Sequence, residues 1–302
     1  MKKNLIDKVV KYYRYNESID YDNIEDFLIA YQTFTDKKTL KNNPEIIWGV
    51  LKCVPNSTHI AAKNKLFKND NECWMFFERT ALFLVKSLIN DPWIDHSKAI
   101  LEYCLYMERF DLIKEVFAKI KGFIEKNIDN PEYISQKIYP STCLVYFLIE
   151  QYLEINPLKN SILDSKNNFG IYDELINNWN NISNIKPQYW NELCDYHLER
   201  LGMSNSEKRE TEEFLFSGLV PMELINIIKT RKKNKLDIPN FCHELFKCPM
   251  AQEPLIPSGY NDELDIKYQV VKQTIETQKR IIYEDVKYQI ENKYGSDTNI
   301  LS

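Results

Sequence analysis

This chain of 302 residues contains only seven glycines. At an average usage of about 7%, about 21 would be expected. Glycine supplies the positive-φ corners of tight hairpins and lets backbone approach a bound phosphate. A chain this poor in glycine has little room for β-hairpin turns, phosphate loops or dinucleotide-binding turns. What remains is helices joined by short polar connections. The motifs agree: no GxGxxG, no GxxxxGK and no Asn-Gly or Asp-Gly dipeptide occurs.

Hydrophobic residues make up 44% of the chain and aromatics 13%, enough for a sizeable core and too much for a disordered chain. The length fits one large domain or two smaller ones. The net charge is −5 with a pI near 5.6, which disfavours a general nucleic-acid binder and suits a basic partner. Seven cysteines are scattered without a CxxC pair, which argues against a secreted disulfide framework. The N-terminus starts basic, MKKNLIDKVVKYYRY, but no apolar stretch follows, so it is not read as a signal peptide. The most apolar window, 73–89, contains Glu78, Arg79 and Lys86 and is too charged to span a membrane. A cytoplasmic protein that is neither membrane-bound nor nucleic-acid-binding is expected.

Apolar residues recur at helical spacing nearly throughout. Leu5, Val9 and Val10 open a first amphipathic helix, and 24–34 a second, with Asp22 as its N-cap. Pro44 starts a third helix that ends at Pro55. Trp74, Phe77, Ala81, Leu84, Val85 and Leu88 form one stripe. Ile100 to Leu105 and Leu112 to Ile120 predict a helical hairpin that turns near Arg109 and Asp111, with Gly122 ending its second helix. The segment 141–155 is apolar almost all round and predicts a central buried helix. The polar stretch 156–168 is the best internal boundary, dividing an N-terminal helical array, 1–155, from a C-terminal helical region, 156–302, of one continuous fold. Helices are expected again over 171–179, 187–201, 206–216 and 221–235. Pro239, Pro249, Pro254 and Pro257 rule out a single helix over 236–260, which reads as an extended strap. A long helix over 262–294 carries a near-heptad apolar stripe and offers a route to self-association. The expected architecture is all-α, an array of packed helical hairpins.

Four histidines, His59, His96, His197 and His243, form no HExxH or HxxxH pattern. His96 reads as part of the turn that caps the helix after Trp93. Cys242, His243 and Cys248 are the densest soft-ligand group, but the five-residue gap and Pro249 beside it favour two buried thiols over a zinc site. No GxSxG elbow and no family-specific cysteine–histidine spacing points to nucleophilic catalysis. No cofactor, metal or catalytic residue is assigned. The basic run KTRKKNK over 229–235 reads as cations gathered at the negative end of a helix dipole rather than as a phosphate-binding patch. The acidic segment ESIDYDNIED over 17–26, with Glu17, Asp20, Tyr21, Asp22, Glu25 and Asp26, is the candidate surface for a basic partner, against a plainer reading as acids enriched at a helix start.

Between 189 and 257 the order of features is distinctive. Tyr189-Trp190 and Tyr196-His197-Leu198 precede the acid-rich 207–213, the run LVPMELINIIKTR over 219–231 and HELFKCPM over 243–250. This order resembles the C-terminal part of the all-helical immunity protein 49 group of bacterial polymorphic toxin systems; the Trp93 to Phe117 hairpin fits the same plan. The resemblance implies a helix beginning P-x-E-L, a proline-bearing strap and a function by binding. Such a protein neutralises a cognate toxin by covering its active site or its partner surface. Two alternatives stand beside it: a helical-repeat scaffold unrelated to toxins, and a cryptic helical metal-dependent enzyme.

Overall fold

A computed structural model describes residues 59–86, 94–126, 138–156, 169–201, 213–214 and 217–255. All of them belong to one compact unit. The described residues are 70% helical, with eight α-helices and no strand. The helices are α1 (59–67), α2 (Cys73–Lys86), α3 (Ile94–Tyr106), α4 (Phe110–Lys126), α5 (Pro140–Leu153), α6 (Asp173–Asn177), α7 (Pro187–Glu199) and α8 (Met222–Lys233). No helix among them is long and apolar enough to cross a membrane. The first two expected helices, the Pro44 helix and the long helix over 262–294 lie outside the described residues, as does most of 206–216.

The core is built on α3. It packs on α2, α4, α5 and α8, and α8 packs in turn on α5. Ile100, Leu101, Tyr103, Cys104, Leu105 and Tyr106 of α3 are fully buried. The α3–α4 hairpin turns at 107–109, which takes in Arg109, whereas Asp111 already lies in the first turn of α4. Helix α5 is buried over most of its length, so α5 and the α8 that follows the 156–168 segment share one core. Pro140 and Pro187 open α5 and α7, where the missing N–H costs nothing. Pro221 sits one position earlier than expected, as the N-cap of α8.

Glycine scarcity shows most clearly at the helix ends. Four helices stop on a residue in the left-handed region, and none of the four is glycine: Asn69 (φ 55°), Glu108 (φ 52°), Glu154 (φ 54°) and Lys235 (φ 56°). Each makes the six-to-one backbone hydrogen bond of a Schellman stop. The N–H of Asp70 donates to Lys65, Arg109 to Cys104, Ile155 to Glu150 and Leu236 to Arg231, at 2.9 to 3.1 Å. A Cβ in this region costs about 1–2 kcal/mol, which glycine would avoid.

Gly122 does not end α4 as expected; the helix runs on to Lys126. A Cβ at Gly122 would meet nothing within 4 Å. The buried face of Leu112, Ile113, Val116, Phe117 and Ile120 outweighs the roughly 1 kcal/mol that glycine costs there.

The segment 236–255 is the expected strap, extended and interrupted by two short 3-10 turns, Glu244–Lys247 and Pro249–Ala251. Leu245 and Met250 pin it to the core; both are fully buried.

Candidate functional site

A concentration of ionisable side chains is buried where α3, α7 and α8 meet the turn residues 213–214 and 217–218. Ten successive residues of α8, Met222 to Arg231, are buried, including Glu223, Asn226, Lys229, Thr230 and Arg231. A helix buried all round is normally apolar. Here each long polar side chain reaches a partner on another element.

His197 on α7 faces acceptors with both ring nitrogens. Nε2 donates to the Gly218 carbonyl oxygen at 2.9 Å. Nδ1 lies 2.7 Å from Glu223 Oε1. Because Nε2 must carry a proton, the short contact on the other side needs a second one. It sits either on the imidazole, facing a carboxylate, or on Glu223 as the neutral acid. Gly218 adopts φ 61°, a true glycine position, and so presents its carbonyl to the ring.

Glu213 ties three elements together. Its Oε1 accepts the Ser141 N–H at 2.7 Å, at the first turn of α5. The N-cap residue of α5, Tyr139, makes no side-chain cap, so a carboxylate 72 positions away supplies it. Its Oε2 accepts the Tyr196 hydroxyl at 2.7 Å and lies 3.5 Å from Arg200 Nε. Arg200 stacks on the Tyr196 ring, 3.6 Å from its centroid. Lys98 of α3 donates to the Glu213 carbonyl at 3.2 Å and lies 5.1 Å from the Phe214 ring centroid.

Glu102, also on α3, is 2% exposed. Burial pushes its carboxyl up to about 7, with Lys98 opposing and Glu223 adding to the shift. Burial and the nearby carboxylates Glu223 and Glu213 hold the Tyr172 hydroxyl well above its usual range. Burial thus favours the neutral forms of Glu102 and Tyr172 in this cluster.

The basic run 229–235 has a destination that sequence reading did not foresee. Lys229 donates to the carbonyl of Tyr106, the last residue of α3, and lies 3.2 Å from the Glu108 carboxylate. Lys233 donates to the carbonyl of Tyr152 near the end of α5 and lies 3.5 Å from the Glu154 carboxylate. Arg231 is fully buried; its Nη1 donates to the Trp179 carbonyl and its Nε to the Asp237 carbonyl at 2.6 Å. The guanidinium also faces the Trp179 ring, 4.9 Å from its centroid. Lys232 pairs with Glu253 on the surface at 2.6 Å. Lys229 and Lys233 thus gather at the C-terminal carbonyls of other helices rather than of their own, and Arg231 at carbonyls of a turn and of the strap.

Cys242, His243 and Cys248 do not converge as two buried thiols. Cys242 is exposed and Cys248 half-buried. His243 caps the first 3-10 turn: its Nδ1 accepts the Leu245 N–H at 3.1 Å, so Nε2 carries the proton and donates to Asp195 at 3.1 Å. This pins the strap to α7. Among the described residues, no group of three or more His, Cys, Asp or Glu side chains could hold a metal ion. His96 lies in the first turn of α3. The candidate partner-binding residues Glu17, Asp20, Tyr21, Asp22, Glu25 and Asp26 lie outside the described residues.

Residues of the resembling segment meet in space. Tyr196 with Glu213, His197 with Glu223, and His243 with Asp195 join α7 to the residues that follow it. Arg231 ties the end of α8 to Trp179 and to the start of the strap. Spacing alone did not reveal these pairs, because a buried glutamate and a first-turn glutamate look the same in sequence. No protein-family model, curated protein or solved structure matches the chain.

Proposed function

We propose that this chain is a non-catalytic protein-binding module that acts as an immunity protein, neutralising a cognate bacterial toxin by binding it. The reading rests on the resemblance of 189–257. The observation that carries it furthest is the interlocking of that segment: Tyr196, His197, Glu213, Glu223, Arg231 and His243 each bond a residue on another element. Their role in this reading is to hold a rigid helical platform, leaving recognition to exposed residues. The basic run fits as well, since Lys229 and Arg231 are buried within the fold and Lys232 and Lys233 are paired with Glu253 and Glu154 at its surface.

Mechanistically, a standard-sized interface with aromatic anchors would provide affinity, and acidic residues would steer a basic toxin domain. The acidic segment 17–26 is the proposed contact. The test is co-expression with the product of the adjacent gene. Rescue of growth from that product's toxicity supports the reading, and a non-toxic neighbour that forms no complex with this chain removes it. Charge reversal of Glu17, Asp20, Asp22, Glu25 and Asp26 should weaken rescue without unfolding the protein; unchanged rescue rules out that face.

A helical-repeat scaffold is the second reading, and one observation favours it. Helices α3 and α5 end in the same arrangement, Tyr106-Met107-Glu108 and Tyr152-Leu153-Glu154, each received by a lysine of α8. A repeat scaffold would bind several unrelated partners and give no toxin-specific rescue.

A further inference from the structure

In the buried cluster between α3, α7 and α8 several polar atoms are unpartnered, the hydroxyl of Tyr172 among them. Glu102 Oε1, Glu223 Oε2 and Asn226 Oδ1 are buried acceptors without a hydrogen-bond partner. Asn226 is held beside Glu102, because its Nδ2 donates to the Glu102 carbonyl at 3.0 Å. Glu102 Oε2 lies 3.8 Å from Lys98 Nζ, beyond hydrogen-bond reach, and that ammonium donates instead to the Glu213 carbonyl. A buried carboxylate with no donor on either oxygen is a costly anion, whereas the neutral acid brings its own O–H. The ionisable groups facing Glu102 are Lys98 from its own helix, Glu223 from α8, His197 from α7, Glu213, and Tyr172 from the 3-10 turn Gly170–Tyr172. Two of these five bear carboxyl groups and Tyr172 is neutral, while His197 is engaged by Glu223 and Lys98 by the Glu213 carbonyl.

We propose that this cluster is an internal proton-binding site, in which Glu102 is held as the neutral acid. Folding then takes up a proton, and the docking of α8 on α3 tightens as the pH falls. The sign follows from linkage. Glu102 titrates near 4.5 when unfolded and near 7 when folded, so the contribution is fully present below the unfolded value and is lost as pH rises through the folded one.

The experiment is urea unfolding of the full chain across about pH 5 to 8, for the wild type and Glu102→Gln, whose amide supplies a donor at every pH. The wild-type folding constant should fall by up to tenfold per pH unit between about pH 5 and 7, relative to the variant. Parallel curves would overturn the proposal. Infrared spectroscopy near pH 6, where ordinary carboxylates are ionised, decides the matter even if that variant fails to fold, when wild type is compared with Glu223→Gln, which removes the other carboxyl able to hold a proton. A protonated-carboxyl C=O band is expected in both, and it should fade by about pH 8. Its absence from either near pH 6 shows that Glu102 is ionised and sinks the idea.

Discussion

Lys229 and Lys233, four residues apart on α8, terminate two different helices in the same way. Each ammonium bonds the carbonyl of a tyrosine, Tyr106 or Tyr152, and lies near the carboxylate of the glutamate two positions on. Each glutamate is the left-handed stop of its helix. Each lysine also faces the ring of that tyrosine, at 5.9 Å for Tyr106 and 4.7 Å for Tyr152. A single turn of α8 thus closes the C-termini of α3 and α5.

The two lysines should nonetheless differ in weight. The Lys229 side chain is 4% exposed and the Lys233 side chain 34%. Lys229→Met strands a buried carbonyl and should cost about 1–3 kcal/mol. Lys233→Met breaks a part-buried bond to Tyr152 and an exposed ion pair to Glu154, and should cost less, about 0.5–1 kcal/mol. Urea unfolding of both variants measures the difference; equal losses would refute the closing role assigned to Lys229.

Glycine scarcity leaves stability unclaimed at defined positions. Lys235→Gly should stabilise by about 1 kcal/mol, because the left-handed residue loses its Cβ penalty. Gly122→Ala should also stabilise, by about 0.5–1 kcal/mol, since the added methyl enters open space on a helix. Gly218→Ala should do the opposite, at φ 61° and bonded to His197. Thermal midpoints of the three variants test whether the sign tracks backbone conformation.

His197 and Glu223 should behave as a unit. His197→Ala leaves a buried carboxyl without its partner and should cost about 3–5 kcal/mol. Removing both, in His197→Leu with Glu223→Leu, should cost less than the sum of the single losses. Additive losses in the double-mutant cycle would count against a shared proton between them.

Arg231→Lys should cost about 2 kcal/mol although charge is kept. The guanidinium serves two carbonyls and faces Trp179, and a single ammonium cannot serve that geometry. A change in tryptophan fluorescence should accompany the loss. A variant as stable as the wild type would show that the fork is dispensable.

Local pattern decided the fold class and much of its layout. The turn of the α3–α4 hairpin, the buried character of α5, the proline start of α7 and the broken strap over 236–255 were all legible in the sequence. Each depends on apolar spacing or proline chemistry within a few residues. The ends of elements were less legible: Gly122 looked like a stop and is a helix interior, while Glu108 and Glu154, which no sequence signal marks, are stops.

The polar interior was decided by tertiary structure alone. In sequence, Glu223 is a first-turn acid and 229–235 a basic run. Only packing shows that Glu223 meets His197, that Lys229 reaches a carbonyl 123 residues away and that Lys233 reaches one 81 residues away. Charge and periodicity are written in the chain, but whether a charge is solvated or buried depends on what distant segments bring against it. By itself the sequence determined an all-helical chain whose scarce glycines leave its helices to stop on other residues. The tertiary structure decided which side chains close those helices, because an orphaned helix carbonyl takes whichever buried donor packing places beside it.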